Sequence, residues 1–245
     1  MSQPAIAVEG LSKRFGKRAA VDGLSFEVPT GGVCGFLGRN GAGKTTLIRM
    51  LMNLTEPSAG QALLLGLDSR RHHTELMARV GYVAEVPILY DWMTVREMVR
   101  FTSQFYTNWN TAAVDALLGR FGIDTRQKVR HLSRGTQAQL SLALAMGHDP
   151  ELLILDEPAT GLDVLVRRDF LESIIQIIQQ EGRTVLLSSH LVHEVERVAD
   201  QIVVIDQGRL LTSSRLDDLK QQAGQSLEDI FVGLVGARRG TEVRQ

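Results

Sequence analysis

The run Gly38-Arg39-Asn40-Gly41-Ala42-Gly43-Lys44-Thr45, followed by Thr46, fits the phosphate-binding pattern G-x-x-x-x-G-K-[ST] at every fixed position. Each residue type has a task in that chemistry. Glycines let the backbone turn its N–H groups onto phosphate oxygens, and the start of the next helix adds a positive dipole end. Lys44 brings a point charge to the β- and γ-phosphates, and the Thr45 hydroxyl can ligate Mg²⁺. The flanking residues agree: Val33-Cys34-Gly35-Phe36-Leu37 reads as a short buried strand, and Leu47, Ile48, Met50, Leu51 and Leu54 follow at helical spacing. The ligand this implies is a nucleoside triphosphate.

A second group of reactive residues closes the apolar run Leu152-Leu153-Ile154-Leu155, where Asp156 and Glu157 stand side by side. In a parallel α/β sheet ligands gather at the carboxyl ends of strands. Asp156 is suited to hold Mg²⁺ directly or through water, and Glu157 to orient and partly deprotonate an attacking water. Two acids at an exposed strand end are the plainer alternative, and the phosphate loop upstream favours the catalytic one.

The elements that must position these groups are legible in outline. The first thirty residues alternate as strands do, with Ile6, Val8 and Leu11, then Leu24, Phe26 and Val28. Leu63-Leu64-Leu65 and Val80-Gly81-Tyr82-Val83 read as further strands. From about Thr94 to Gly147 the spacing turns helical. Thr94 with Glu97 forms a capping box, Thr111 to Phe121 carries a second helix, and a third begins at Ser133 or Arg134. Strands return at Leu152–Leu155, Thr184–Leu187 and Ile202–Ile205, with helices at about 164–180 and 191–198. Alternating strands and helices predict a mostly parallel sheet, and the helical block predicts an inserted subdomain.

The chain has 245 residues, 27 basic and 28 acidic, for a formal charge of −1. No basic excess favours nucleic acid, so none is expected as a partner. The cluster Arg70-Arg71-His72-His73 reads as a solvated loop. Cys34 is the single cysteine, which excludes an intrachain disulfide and fits core filler. The N-terminus lacks signal-peptide character and no run approaches membrane-span length, so a soluble, cytoplasmic chain is expected.

Taken in order, these motifs resemble the ATP-binding-cassette ATPases. Leu132-Ser133-Arg134-Gly135-Thr136 stands where the family signature L-S-G-G-Q belongs, Gly161-Leu162-Asp163 looks like the D-loop, and His190 looks like the switch histidine. The resemblance spans roughly residues 5 to 210. It implies an α/β fold: a P-loop NTPase (RecA-like) core with an N-terminal antiparallel β subdomain and an inserted α-helical subdomain. A single domain is expected over 1–236, with core about 1–84 and 151–210, helical subdomain about 85–150, C-terminal helix about 215–236, and a disordered tail at 237–245.

The resemblance also implies a mechanism shared between two chains. Each ATP would lie between one phosphate loop and the other chain's Ser133 and Gly135. His190 would contact the γ-phosphate and hold Glu157 and the water in place, and Asp163 would communicate across the dimer. Phe15 matches the aromatic that stacks on adenine, with core packing as the alternative. The sequence departs from the family at Arg134 and Thr136, which replace a glycine and the glutamine of the signature. It departs again at Glu85, which stands where a metal-ligating glutamine belongs and can itself offer an oxygen to Mg²⁺.

The partners implied are an integral membrane permease and a second cassette chain, a homodimer before a heterodimer. The expected location is cytoplasmic, at the inner face of the cell membrane through that permease. Val86 to Glu97 falls where relatives meet their permease, with hinge packing as the alternative. The ending Ser226 to Leu234 resembles the closing helix of cassettes that serve two-gene bacterial exporters, with Leu227, Ile230, Phe231 and Leu234 on one apolar face. Export is therefore the expected direction. The rivals are a soluble cassette ATPase acting on macromolecules and a nucleotide-gated regulatory module that hardly turns over.

Overall fold

The computed structural model describes residues 3–181 and 183–242. In chain order the elements are β1 (Ile6–Phe15), β2 (Arg18–Val28), β3 (Gly32–Leu37), α1 (Lys44–Leu51), β4 (Ala59–Leu64), β5 (Leu67–Asp68), α2 (His73–Met77) and β6 (Val80–Val83). Next come α3 (Val95–Ser103), α4 (Thr111–Arg120), α5 (Arg134–Met146), β7 (Leu152–Asp156) and α6 (Val164–Glu181). The chain closes with β8 (Thr184–Ser189), α7 (Val192–Glu196), β9 (Gln201–Asp206), β10 (Arg209–Arg215), α8 (Leu216–Ala223) and α9 (Leu227–Glu242). They form two compact units, residues 1–73 with 184–245, and residues 74–183.

The first unit holds two kinds of strand. β1 and β2 form an antiparallel hairpin closed at Phe15↔Arg18, and β4 adds to the other side of β1 with Ile6 opposite Leu64. Val21, Leu24, Phe26 and Val28 of β2 are buried while the residues between them are not, which is the alternation of a sheet with one covered face. β3, by contrast, is buried along nearly its whole length and pairs in parallel with β8, buried throughout, and β9, buried from Ile202 onward. Strands covered on both faces need continuous apolar runs, and these three have them. β10 runs antiparallel beside β9. α8 stops at Gly224, whose φ of 62° ends the helix in the left-handed region.

The second unit pairs β6 with β7 in parallel and sets helices around a shared apolar cluster that includes Val95, Met98, Val114, Leu118, Leu140 and Leu144. α3, α4 and α5 each start on a side-chain cap. Thr94 Oγ1 accepts from Glu97 N at 3.2 Å while Glu97 Oε2 accepts from Thr94 N at 2.8 Å, so the expected capping box is present. Asn110 caps α4 through Ala113 N, and Ser133 caps α5 through Thr136 N. Such caps stabilise a helix by ~1 kcal/mol each.

Several boundaries differ from the expectations. Leu54 lies outside α1 and is exposed. The helical block expected at 85–150 lies inside a unit that also takes in β6, β7 and α6. One C-terminal helix becomes two, and α9 continues through Glu242 where a tail was expected from 237; residues 243–245 lie outside the described residues. Leu227 and Ile230 are buried and Phe231 half-buried, so that helix covers the core of its own chain. No helix among the described residues is long and apolar enough to cross a membrane.

Candidate functional site

In the first unit the phosphate loop joins β3 to α1, and its Gly38 and Gly43 sit where side chains would not fit. Gly43 has φ 107° as the N-cap of α1, and a Cβ there would overlap the Ala20 carbonyl oxygen. A Cβ on Gly38 would stand 2.8 Å from the carbonyl oxygen of Ile205. The loop is therefore pressed between β2 on one side and β9 on the other. Lys44 is buried, and its ammonium donates to Gly38 O at 2.5 Å and Arg39 O at 3.2 Å, which wraps the loop around a positive charge. α1 carries no acid in its first turn to offset that charge or the helix's own positive end. Arg39, Asn40 and Gly41 are exposed at the loop's crest, Ala42 is buried beneath it, and Thr45 and Thr46 are half-buried.

The parallel register places Ser189 of β8 opposite Leu37 of β3. His190, the next residue, therefore emerges beside Gly38 at the same strand ends, and is half-buried. Sequence reasoning missed what holds it. Ser189 Oγ donates to the buried carboxylate Oε2 of Glu194 at 3.0 Å and accepts from Leu191 N at 3.0 Å. Phe15 closes the β1–β2 hairpin with 55% of its surface exposed, which removes the core alternative. The Lys13 ammonium stands 5.2 Å from its ring centroid.

The second unit holds the carboxylates and the signature. β7 is buried throughout, and Asp156 and Glu157 at its end are 1% and 7% exposed. Glu157 adopts a φ of 47°, a left-handed conformation that costs a non-glycine residue roughly 1–2 kcal/mol. Thr160 Oγ1 donates to Glu157 Oε2 at 2.8 Å and fixes one face of the carboxylate. Glu85 is exposed two residues beyond β6, whose Val83 is in register with Leu155 of β7, so it leaves its strand at the same end as Asp156.

The signature and the D-loop meet within this unit. Asp163 Oδ1 accepts from Leu165 N and Val166 N, starting α6. Gly135 is buried under that helix, and a Cβ on it would lie 2.6 Å from Val166 Cγ1. Arg134 is exposed, with its Nη1 3.8 Å from where a Cβ of Gly161 would stand. Ser133 Oγ lies 2.8 Å from Thr136 Oγ1, so the residue in place of the signature glutamine is hydrogen-bonded to the capping serine. The Gly135 approach has no local sequence signal, whereas Thr160 stands only three residues after the Glu157 it contacts.

Candidate metal donors are all oxygen: the Thr45 hydroxyl in one unit, and the Asp156 and Glu85 carboxylates in the other. No group of three or more His, Cys, Asp or Glu among the described residues is arranged to hold a metal by itself. Within each unit these donors are of the kind Mg²⁺ takes when it is carried in with nucleotide phosphates, since this ion binds through one or two protein oxygens and keeps waters.

On the outer surface of the second unit, Val86, Ile88 and Trp92 are 73%, 90% and 64% exposed. Tyr90 packs against Trp92 with ring centroids 5.9 Å apart and edge-on to Phe101 at 5.2 Å, and Phe101 meets Phe105 at 5.1 Å. Met93 turns inward onto the helical core. The segment is thus anchored by Met93 and the partly buried Leu89, and presents Val86, Ile88, Tyr90 and Trp92 to solvent.

Comparison with known proteins agrees with this geometry. Residues 21–160 match the family described as ABC transporter. The bacitracin transport ATP-binding protein of Bacillus licheniformis is 36% identical over 225 residues, 91% of this chain and 74% of that one. The Nod factor export ATP-binding protein I of Ralstonia nicotianae is 36% identical over 223 residues, 89% of this chain and 69% of that one. A solved structure of an ATP-binding subunit of an ABC transporter superposes with a TM-score of 0.84 at 28% identity, covering 94% of this chain and 99% of its own.

Proposed function

This chain belongs to the ABC transporter family as one of its ATPase subunits, and from that premise we propose that it energises a separately encoded membrane permease in the direction of export. The observation that carries the permease reading is the apolar surface formed by Val86, Ile88, Tyr90 and Trp92 on a chain whose described helices cannot cross a membrane. Exposed apolar patches of this kind mark interaction sites. The names of the relatives, one for bacitracin transport and one for Nod factor export, support a substrate that is amphiphilic and leaves the cell.

At the nucleotide, the reading assigns each group a task. The phosphate-loop N–H groups and Lys44 hold the β- and γ-phosphates, and Phe15 stacks on the base. Glu157, its carboxylate steadied by Thr160, takes the proton from the attacking water, while His190 holds the γ-phosphate and that water in line. Thr45 and Asp156, with Glu85 adding an oxygen, would hold Mg²⁺, which when bound neutralises charge between the β- and γ-phosphates. Ser133 and Gly135 serve the ATP of a second, identical chain, with Asp163 in communication across the pair. The complex then sits at the inner face of the cell membrane.

Co-purification tests the permease assignment. Solubilised membranes should yield one integral membrane protein with the wild-type chain, and Ile88→Glu with Trp92→Asp should lose it while ATP binding stays unchanged. Retention of the same membrane protein by the double variant would refute the assigned surface.

A further inference from the structure

We propose that Glu194 is the positioning residue for His190, holding the histidine against the phosphate loop through Ser189; this rests on the assignment of His190 to the γ-phosphate. The chain of contacts is short. Glu194 is 4% exposed and its Oε2 accepts the Ser189 hydroxyl at 3.0 Å. The same hydroxyl oxygen accepts Leu191 N at 3.0 Å. Ser189 and Leu191 flank His190 on both sides, so one buried carboxylate fixes the backbone before the histidine and after it.

The platform under Glu194 is itself tied to the phosphate loop. Val195, the next residue of α7, is fully buried, and a Cβ added to Gly35 of β3 would overlap its Cγ1. Only a glycine there lets α7 lie this close to the strand that feeds Gly38. β8 is fixed to the same strand from the other side, with Leu37 opposite Ser189. The histidine's backbone is therefore located by β8, by α7 and by the hydrogen bonds between them, all referred to β3. A carboxylate is costly to bury unless hydrogen-bonded, so the Ser189 hydroxyl and Glu194 stabilise each other in one arrangement. Rigid location matters because a misplacement of about 1 Å near a reacting centre can cost ~10²-fold in rate.

The test is steady-state ATP hydrolysis with ATP affinity measured separately on the full chain. Glu194→Ala and Ser189→Ala should each lower kcat about 10–100-fold with KM for ATP unchanged, and together no further than either alone. Glu194→Gln, whose amide oxygen still accepts the hydroxyl, should keep most of the activity. Neither change should add to the loss in a His190→Ala chain. If Glu194→Ala fails to fold, Ser189→Ala, which deletes a single hydroxyl, carries the test. Wild-type kcat in Ser189→Ala beside an inactive His190→Ala would overturn the positioning role alone, as would an undiminished further loss from Ser189→Ala in the His190→Ala background. Wild-type kcat in His190→Ala would remove the histidine's assignment and this inference with it.

Discussion

Two glycines in helices of the second unit should respond to the same substitution with opposite signs. In Gly135→Ala the new methyl would stand 2.6 Å from Val166 Cγ1. Ordinary carbon–carbon contact is ~3.5–4.0 Å, so α5 and α6 must separate by about 1 Å or Val166 must leave its rotamer. Overpacking of this kind costs about 1–3 kcal/mol, against at most about 1 kcal/mol gained from replacing a helical glycine. In Gly119→Ala of α4 no atom of the described residues outside the helix's own neighbouring backbone lies within 4 Å of the added carbon, and the gain of up to about 1 kcal/mol should appear unopposed. At about 2–4 °C per kcal/mol for a chain of this size, thermal melts should place Gly119→Ala above wild type and Gly135→Ala below it. Gly135→Ala should also lower kcat by ~10²-fold, because it shifts Ser133 and Arg134 relative to Gly161, while ATP affinity at the phosphate loop stays unchanged. A Gly135→Ala chain that melts with Gly119→Ala and hydrolyses ATP at the wild-type rate would refute the close packing of signature on D-loop.

Three further outcomes follow from the site and its supports. Phe15→Ala should weaken ATP binding by about 1–3 kcal/mol, the usual worth of a base-stacking aromatic, without lowering the melting temperature, since the ring is 55% exposed; unchanged affinity by titration calorimetry would remove the stacking role. His148 is buried and stacked on Tyr106 at 4.2 Å, its Nε2–H donates to Val80 O at 3.2 Å, Nδ1 has no hydrogen-bond partner among the described residues, and burial holds its pKa below the ordinary histidine value. The neutral ring is the form that fits, so its stability contribution is complete above about pH 6.5 and is lost as the pH falls below that value; His148→Phe should melt lower at about pH 8 but lose less between about pH 7 and about pH 5, and parallel curves would contradict this. Cys34 is buried in β3 and burial pushes its thiol pKa far up, so a maleimide should label it only at the rate of unfolding; rapid labelling of the native chain would show that the strand opens.

What the sequence revealed and what it hid divide along one physical line. The phosphate loop, the Thr94–Glu97 box and the Ser133 cap are local, because the residues that interact lie within a few positions of one another. The apolar runs of β3, β7, β8 and β9 declare burial on both faces without reference to partners. β10 escaped because Arg209–Arg215 is half-exposed at an edge and follows no clean alternation. Gly135 against Val166, Arg134 beside Gly161 and Val195 over Gly35 are approaches between residues far apart in sequence, which no spacing rule records. The carboxylate of Glu194 was hidden for a different reason: an acid on a short amphipathic helix reads as solvated until the fold buries it.

The most direct test of the nucleotide chemistry is Glu157→Gln, measured for ATP affinity and for turnover on the same preparation. The substitution keeps the side chain's shape and an oxygen for the Thr160 hydroxyl, but removes the base. ATP affinity should match wild type while kcat falls ~10²–10⁴-fold, the usual contribution of a positioned acid or base. Turnover at the wild-type rate with intact ATP binding would contradict the assignment of Glu157 as the base that activates water.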